Sequence, residues 1–236
     1  MLTLARRELA SLFCSPIGYV VLALFALGSS LVFYVGFAPG NHATMRVTYG
    51  GVVWLLVFLA PAISMRLLSE ELSRGTIERL MTSPVNDTQV VLGKWLAALG
   101  FFAVLLLPLL AHVAVLEVTA DPDLGPIVTG WFGLLLVGGL YLAIGTFASA
   151  ATENQIIAFL LTVFVICGLT FLLYFLPEAE FVPPRVRSAM FYANVNRRFE
   201  GFNKGLLDVR NVVYFISTTA LFLFLAVKLL ESRRWR

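Results

Sequence analysis

The fold of this chain is decided by IVTGWFGLLLVGGLYLAIGTFASAA (127–151), TEN (152–154) and QIIAFLLTVFVICGLTFLLYFL (155–176). Each long run is apolar and exceeds the roughly 20 residues that a helix needs to cross the hydrocarbon core of a membrane. Only Thr152, Glu153 and Asn154 separate the runs, so the two helices form an antiparallel hairpin with a tight connection. The stretch therefore predicts a helical protein built across a membrane.

The composition of the whole chain extends this interpretation. Of the 236 residues, 59% are hydrophobic and 13% are charged, which excludes a soluble globular domain because a water-exposed surface needs more polar side chains. The net charge of +3 is small and dispersed, which favours basic cytoplasmic loops over nucleic acid binding. Residues 1–236 then form a single all-α integral membrane domain. Its six predicted spans lie at about 16–37, 47–67, 95–116, 127–151, 155–176 and 211–230.

Lysines and arginines orient the predicted spans. Because the number of spans is even, both termini lie on the same side of the membrane. That side carries ten of the 17 basic residues, and six of the other seven fall in or beside the long external segment 177–209. The positive-inside rule therefore predicts that both termini are cytoplasmic. Trp95, Trp131 and Trp235 fall near predicted span ends, as expected of an interfacial aromatic belt.

The first 14 residues, MLTLARRELASLFC, have an amphipathic pattern. Arg6 and Arg7 lie opposite an apolar stripe that includes Leu9. This pattern predicts a helix that lies in the membrane interface with its arginines toward anionic headgroups. A simple cytoplasmic extension of the first span is the alternative.

The polar segment 69–88 follows the second span and contains SEELSRGTIERLMTSPV (69–85). Gly75 can end the helix that continues from the second span, Thr76 can cap a new helix, and Pro84 can stop it. The result is a two-turn helix with an apolar face at i, i+3, i+4 spacing, formed by Ile77, Leu80 and Met81. Such a face outside the membrane needs a partner surface. On physical grounds alone, that surface could belong to the cytoplasmic ends of the same chain or to another protein.

The sequence contains no motif of a common catalytic site. H-E-x-x-H, G-x-S-x-G and the phosphate loop G-x-x-x-x-G-K-[ST] are all missing. Gly93 and Lys94 resemble the end of a phosphate loop, but Thr88 occupies the position of its earlier glycine. We therefore expect no enzyme activity, no metal site and no cofactor in this chain. If the chain takes part in active transport, another polypeptide must hydrolyse the ATP.

The predicted spans also lack Asp, Glu, Lys and Arg at their middles, which disfavours an ion-coupled carrier. His112 is the ionisable group that lies well inside a span. It is a candidate proton relay or ligand, but a neutral imidazole hydrogen-bonded to a neighbouring helix is the simpler interpretation.

Small residues recur at four-residue spacing in the fourth predicted span, as Gly139 with Ala143 and Gly145 with Ser149. Small side chains allow two helices to approach closely. We favour contacts within the chain over contacts across a dimer.

Two runs of the sequence resemble a known family. LAPAISMRLLSEELSRGTIERLMTSPVNDTQVVLGKW (59–95) is similar to the signature region of type-2 ABC exporter permeases, the membrane subunits that a separate ATP-binding subunit drives. RRFEGFNKGLLDVRNVVYF (197–215) resembles the segment before the last span in the gliding-motility and copper-enzyme-maturation branch of those permeases. Together the two runs cover about a quarter of the chain.

The resemblance implies that 69–88 holds a cytoplasmic coupling helix, which in the family sits in a cleft of the ATPase. The matching residues are Glu70, Glu71, Gly75, Thr76, Glu78, Leu80 and Pro84, beside the apolar residues Ile77 and Met81. The amphipathic N-terminus, with Arg6, Arg7 and Leu9, matches the connecting helix of the family, which also lies against the ATPase.

In the second run, the resemblance implies short helices that dip back into the membrane from outside. The matching residues are Phe199, Glu200, Gly201, Lys204, Gly205, Asp208, Arg210 and Tyr214. An irregular backbone cannot face lipid, so Gly201 and Gly205 would be covered by protein or line a watery cavity. An ordinary loop is the alternative for these glycines.

The resemblance also implies partners and a location. The expected partners are a pair of cytoplasmic ABC ATPase subunits that bind ATP and Mg, a second permease chain (identical or related), an extracytoplasmic accessory protein and membrane lipid, with no nucleic acid. The expected location is the bacterial inner membrane. The leading hypothesis is an export permease that works by alternating access. The competing hypotheses are a membrane scaffold or force-transmitting anchor of the gliding type, and a secondary carrier.

Overall fold

Helical hydrogen bonding dominates the architecture, because the backbone groups of a segment inside lipid must be satisfied within the protein. The computed structural model describes residues 2–37, 44–75, 86–120, 122–176 and 183–233, and these residues form helices and short turns with no strand among them. Six helical segments are long and apolar enough to cross a membrane: Pro16–Gly36, Arg46–Ser73, Asp87–Thr119, Leu124–Ala151, Gln155–Phe175 and Val209–Ser232. The predicted all-α fold with six spans is therefore confirmed.

Prolines and polar caps start several of the helices. Pro16 stands in the first turn of the second helix. Asp123 Oδ1 accepts a hydrogen bond from the backbone N–H of Gly125 at 3.1 Å, and Asn154 Oδ1 accepts one from Ile156 at 2.9 Å. In chain order, the described helices are α1 (Leu2–Phe13), α2 (Pro16–Gly36), α3 (Arg46–Ser64), α4 (Ser69–Ser73), α5 (Asp87–Leu105), α6 (Pro108–Thr119), α7 (Leu124–Ala151), α8 (Gln155–Cys167), a π-helical turn (Gly168–Leu172), α9 (Leu173–Phe175), α10 (Pro184–Ala193), α11 (Val195–Asn203) and α12 (Val209–Arg233).

Helix α7 lies at the centre of the bundle and contacts α3, α5, α8, α11 and α12. In its most apolar window 72% of the residues are buried, compared with 22% for α2 and 28% for α12. The side chains that α2 and α12 leave exposed include Leu27, Leu31, Ile216 and Phe224. Exposed apolar side chains on the outer helices suit contact with lipid chains, which have no polar groups to offer.

Small residues allow the neighbouring helices to approach α7. A Cβ atom at Gly138 would collide with the ring of Phe102 on α5, and a Cβ atom at Gly145 would collide with Oγ of Ser64 on α3. The small residues singled out in the sequence, Gly139, Ala143, Gly145 and Ser149, are all buried within the chain. The prediction that they pack within the chain is therefore confirmed.

Three of the spans are interrupted. Helix α3 ends at Ser64 and a turn at 65–68 precedes α4, while a π-helical turn separates α8 from α9. The third span divides at 106–107, before Pro108 opens α6. The helix of this span begins at Asp87, about two turns before the predicted start of the span near 95. Its first turns carry polar side chains, and a hydropathy pattern cannot distinguish a polar helical turn from a loop.

Candidate functional site

A buried cluster of charges joins three helices at one end of the bundle. Lys94 Nζ on α5 lies 2.9 Å from Glu71 Oε1 on α4 and 3.5 Å from Glu8 Oε2 on α1. Only 2% of the Lys94 side chain is exposed. A buried charge is tolerated when partners compensate for its lost hydration. The cluster of Lys94, Glu71 and Glu8 therefore fixes α1 and α4 against α5.

The sequence alone did not predict this cluster, because the predicted third span begins near 95 and leaves Lys94 in the polar connection before it. The helical register contains the signal that could have revealed it. Lys94 lies three or four residues from Val90, Val91, Ala97 and Ala98, which are all buried on α5. A lysine in the middle of an apolar helix face needs a carboxylate partner. That register predicts a buried ion pair rather than a solvated loop.

Trp95 lies next to this cluster and packs between helices. Its indole Nε1 donates a hydrogen bond to the carbonyl oxygen of Gly139 on α7 at 3.0 Å. Trp95 lies about two turns inside α5, and its position at a membrane interface stays a prediction. A Cβ atom at Gly139 would lie 3.7 Å from Cζ2 of Trp95, an ordinary contact distance, so glycine is compatible with this contact without being required for it.

The Ser149 hydroxyl on α7 satisfies the backbone at the break between α3 and α4. Its Oγ accepts hydrogen bonds from the backbone N–H groups of Leu68 at 3.0 Å and Ser69 at 2.9 Å, and donates one to the Met65 carbonyl at 3.0 Å. A hydroxyl offers one donor and two acceptor sites, so its bonding capacity is filled. The first N–H groups of a helix have no partner within that helix. Ser149 supplies one, and thereby holds the start of α4 on α7.

Three of the predicted coupling residues lie within the described part of the chain. Glu70 pairs with Arg74 at 2.8 Å on the surface, whereas Glu71 reaches Lys94. Gly75 ends this helical stretch with a φ angle of +64°, a left-handed conformation that favours glycine, and its predicted role as a helix stop is confirmed. The other predicted residues lie outside the described residues: Thr76, Ile77, Glu78, Leu80, Met81 and Pro84.

Helix α1 packs along α5 through its apolar side. Leu12 is 5% exposed, and Leu9 is half-buried against the core. The ring centroid of Phe13 lies 5.0 Å from that of Phe101 on α5. Arg6 and Arg7 are exposed. The amphipathic helix is present with the predicted division of its faces, and its contact with a membrane surface or an ATPase stays a prediction.

The predicted external segment 177–209 contains two short helices, α10 and α11, and α11 lies on α7. Phe199 and Phe202 of α11 are buried. A Cβ atom at Gly133 of α7 would lie 2.8 Å from Cβ of Phe202, so only glycine admits this close contact. The Phe202 carbonyl accepts a hydrogen bond from Thr129 Oγ1 at 2.7 Å. The predicted short helices are therefore present, and their entry into a membrane stays a prediction.

The junction between α10, α11 and α12 is held by polar contacts. Tyr214 Oη donates to the carbonyl oxygen of Ala193 at 2.7 Å. The Arg198 guanidinium lies 4.4 Å from the centre of the Tyr214 ring and donates to Asn211 Oδ1 at 3.0 Å. A Cβ atom at Gly201 would lie 3.1 Å from the Asn211 side chain. Protein atoms therefore lie directly over Gly201, as expected from the sequence if this segment enters a membrane.

The remaining residues of the second run lie around the turn into α12. Gly205 has a φ angle of +90° and makes this turn. Glu200 and Lys204 form an exposed ion pair at 2.6 Å. Asp208 Oδ1 accepts a hydrogen bond from the backbone N–H of Arg210 at 2.9 Å, where α12 begins. These contacts shape one end of the bundle and bring no reactive groups together.

The six apolar helical segments agree with a known family of membrane proteins. The family model described as ABC-2 family transporter protein matches residues 27–228. The chain belongs to the ABC-2 transporter family. The search of curated proteins found no match to the chain. An ABC-2 permease domain is a multi-pass membrane component and not a catalytic domain, and the family implies an ATPase partner in general.

In this ABC-2 permease, His112 makes contacts with the neighbouring helix α2. His112 Nε2 and Ser30 Oγ on α2 share a hydrogen bond of 3.1 Å, and the imidazole stacks on Phe33 with 4.7 Å between ring centroids. The interpretation of His112 as a residue hydrogen-bonded to a neighbouring helix is therefore confirmed. Among the residues that the structure describes, no group of three or more His, Cys, Asp or Glu could hold a metal ion.

The contacts of the ABC-2 permease connect the segment 69–75 to two spans. Glu71 ties α4 to α5 through Lys94, and Ser149 ties the start of α4 to α7. Interfaces of packed helices move as units rather than deform continuously. Helix α4 is therefore fixed to both spans.

Proposed function

We propose that this ABC-2 permease is the membrane subunit of an ATP-driven exporter, in which it forms half of the translocation pathway. A separate ATPase subunit would drive it through the segment 69–88 and through α1. The observation that carries the proposal is the Lys94 cluster, which joins Glu71 at the start of that segment to Glu8 on α1. These are the two elements that resemble the ATPase-contacting helices of type-2 permeases.

The proposed mechanism requires no bond chemistry in this chain. A pair of ATPase subunits binds ATP and Mg and closes, and the helix predicted from the sequence at 76–85 moves with them. Because Lys94 holds α4 and α1 on α5 and Ser149 holds the start of α4 on α7, this movement would shift the spans as rigid bodies. Alternating access then follows from the two arrangements of the bundle.

The wider assembly is part of the same proposal. A second permease chain, identical or related, supplies the other half of the pathway, and an extracytoplasmic accessory protein can contact α10 and α11. Both termini are proposed to be cytoplasmic in a bacterial inner membrane. The run 197–215 supports assignment to the gliding-motility and copper-enzyme-maturation branch, because it follows the pattern of that branch before the last span.

The experiment introduces a charge on the apolar face that the sequence predicts for 76–85 and measures the complex with the ATPase. The variants Leu80→Glu and Met81→Glu are co-purified with the ATPase and reconstituted in vesicles. We expect both to lose the ATPase, because a charge buried in an apolar contact is costly. Gln89→Glu is the matched control, since Gln89 is exposed in the first turn of α5 and gains the same charge. A complex that stays intact and active in Leu80→Glu would contradict the proposal.

The same vesicles distinguish an exporter from a scaffold and from a secondary carrier. ATP hydrolysis is measured with and without a cell-envelope extract added as a source of cargo. An exporter should hydrolyse ATP faster when cargo is present, whereas a scaffold or force-transmitting anchor should not. Uptake driven by an ion gradient without ATP would instead identify a secondary carrier.

A further inference from the structure

A cleft of about 180 Å³ opens at the end of the bundle far from α1. Its walls come from the beginning of α3, from α9 and from α11. The residues that matter for its chemistry are Trp54, Tyr174, Asn196, Arg197, Glu200 and Asn203. A polar end and an aromatic wall therefore meet in one space.

Two residues that line this cleft each carry a side-chain amide atom with no hydrogen-bond partner among the described residues. Asn196 Nδ2 and Asn203 Oδ1 are both buried and unpaired. The orientation of the Asn203 amide is fixed, because its Nδ2 donates to the carbonyl oxygen of Arg46 at 2.9 Å. Leaving a buried polar atom unpaired is costly. The cleft thus offers one donor and one acceptor to a ligand that carries the complementary groups.

The charges around the cleft favour an anionic ligand. Glu200 is already paired with Lys204 at 2.6 Å. The Arg197 guanidinium lies 3.9 Å from the centre of the Phe191 ring, and in the described part of the chain it has no carboxylate partner. An arginine held on an aromatic face keeps its planar donors available, and these donors suit phosphate oxygens.

An exposed aromatic surface continues from the cleft along the bundle. The Trp54 and Phe171 rings lie 4.5 Å apart between centroids, and Phe171 belongs to the π-helical turn. Phe58, one turn further along α3, is 58% exposed, and Phe171 is 42% exposed. A ligand with its polar group in the cleft would therefore lay an apolar tail along α3 and α8.

We propose that the cleft binds the glycerophosphate headgroup of an anionic membrane phospholipid. The phosphate oxygens accept from Asn196 Nδ2 and from the Arg197 guanidinium, a headgroup hydroxyl donates to Asn203 Oδ1, and the acyl chains follow Phe58 and Phe171. This assignment goes beyond the export function and does not depend on an ATPase, because its readout is binding alone.

The test titrates short-chain phosphatidylglycerol onto the full-length protein in detergent and counts bound lipid by native mass spectrometry. We expect one saturable lipid, with Asn196→Leu and Arg197→Gln each weakening binding about tenfold, as expected for the loss of a hydrogen bond to a charged group. Arg197 is exposed, so Arg197→Gln tests the site without disturbing the core. Arg185→Gln is the matched control, because Arg185 is an exposed cation of α10 that does not line the cleft.

Two further measurements identify the headgroup and its source. Phosphatidylcholine has no headgroup donor for Asn203, so we expect it to bind several-fold more weakly than phosphatidylglycerol. Glycerol 1-phosphate at millimolar concentration should not displace the lipid. Displacement by glycerol 1-phosphate would overturn the lipid assignment in favour of a soluble phosphate ester. Equal binding by Arg197→Gln, Asn196→Leu and Arg185→Gln would overturn the site.

Discussion

The ion pair between Lys94 and Glu71, with 2.9 Å between Nζ and Oε1, links the two ends of the chain segment that contains 76–85. Glu71 precedes this segment and Lys94 follows it, so the two ends of the segment are held together at one point. Bringing chain ends together costs conformational entropy, which the pair and its burial offset. The two ends of a coupling helix in this segment would therefore be held in place, and a force on that helix would act on α4 and α5 together.

Replacing the buried cation should destabilise the protein. Lys94→Met removes the buried cation that lies between the carboxylates of Glu71 and Glu8, and breaking a buried ion pair in this way costs about 3 kcal/mol of unfolding free energy. Thermal unfolding of the detergent-solubilised protein measures the loss. The double variant Lys94→Met with Glu71→Leu should recover part of this loss, because it also removes one of the two carboxylates that interact with Lys94.

The control for this variant is Lys228→Met. Lys228 pairs with Glu231 at 2.7 Å, but both side chains are exposed, and such pairs contribute roughly 0 to 1 kcal/mol. Equal losses of stability in Lys94→Met and Lys228→Met would contradict the structural role of the buried cluster.

Removing the Ser149 hydroxyl should loosen the start of α4. Ser149→Ala leaves the N–H groups of Leu68 and Ser69 without their acceptor, which should cost about 2 kcal/mol. Hydrogen exchange at the amides of Leu68 and Ser69 should become faster, since local opening becomes easier. Ser217→Ala is the control, because this exposed hydroxyl bonds only within α12. Unchanged exchange at Leu68 and Ser69 would show that Ser149 does not hold this turn.

The spans were predictable from sequence because a membrane requires long apolar helices with internally paired backbones. The hairpin of α7 and α8 follows from three residues between two apolar runs, and the fixed turn at Gly75 follows from glycine at a helix end. Long-range contacts were not predictable in the same way. Lys94 is buried because Glu8 and Glu71 come from two other helices, and the sequence does not show which helices meet.

Ser149 illustrates the same limit. Its small size predicted a close helix contact, and the structure contains that contact. Its role as an acceptor depends on the break between Ser64 and Ser69, which places unpaired N–H groups beside α7. Nothing in the residues near Ser149 records a break that lies about 80 residues earlier.

Filling the space at Gly145 should force α3 away from α7. Gly145→Ala places a Cβ atom against Oγ of Ser64 and 3.3 Å from the Thr162 side chain, and overpacking of this kind costs about 1 to 3 kcal/mol. Gly50→Ala is the control, because a Cβ atom at Gly50 meets nothing within 4 Å and alanine is a better helix former than glycine. Thermal unfolding should show a lower stability for Gly145→Ala alone. Equal unfolding temperatures for the two variants would show that the interface between α3 and α7 accommodates a methyl group at position 145 without strain.

The conformation of Gly75 gives the most direct test of how the segment 76–85 is directed. Alanine in the left-handed region costs about 1 to 2 kcal/mol, so Gly75→Ala should favour a right-handed turn there and misdirect the segment. Binding of the ATPase should then weaken by about tenfold, since each 1.4 kcal/mol changes an equilibrium tenfold. Gly75→Asn should lose less, because asparagine tolerates this conformation.

The thermal stability of the bundle separates this effect from a folding defect. A Cβ atom at Gly75 meets nothing within 4 Å, so neither variant introduces a clash, and backbone strain should lower the unfolding free energy of Gly75→Ala by no more than about 1 to 2 kcal/mol. The comparison between alanine and asparagine then reports backbone conformation rather than packing. If Gly75→Ala binds the ATPase as tightly as Gly75→Asn, the left-handed turn does not direct the coupling segment, because the two side chains differ in their tolerance of that conformation.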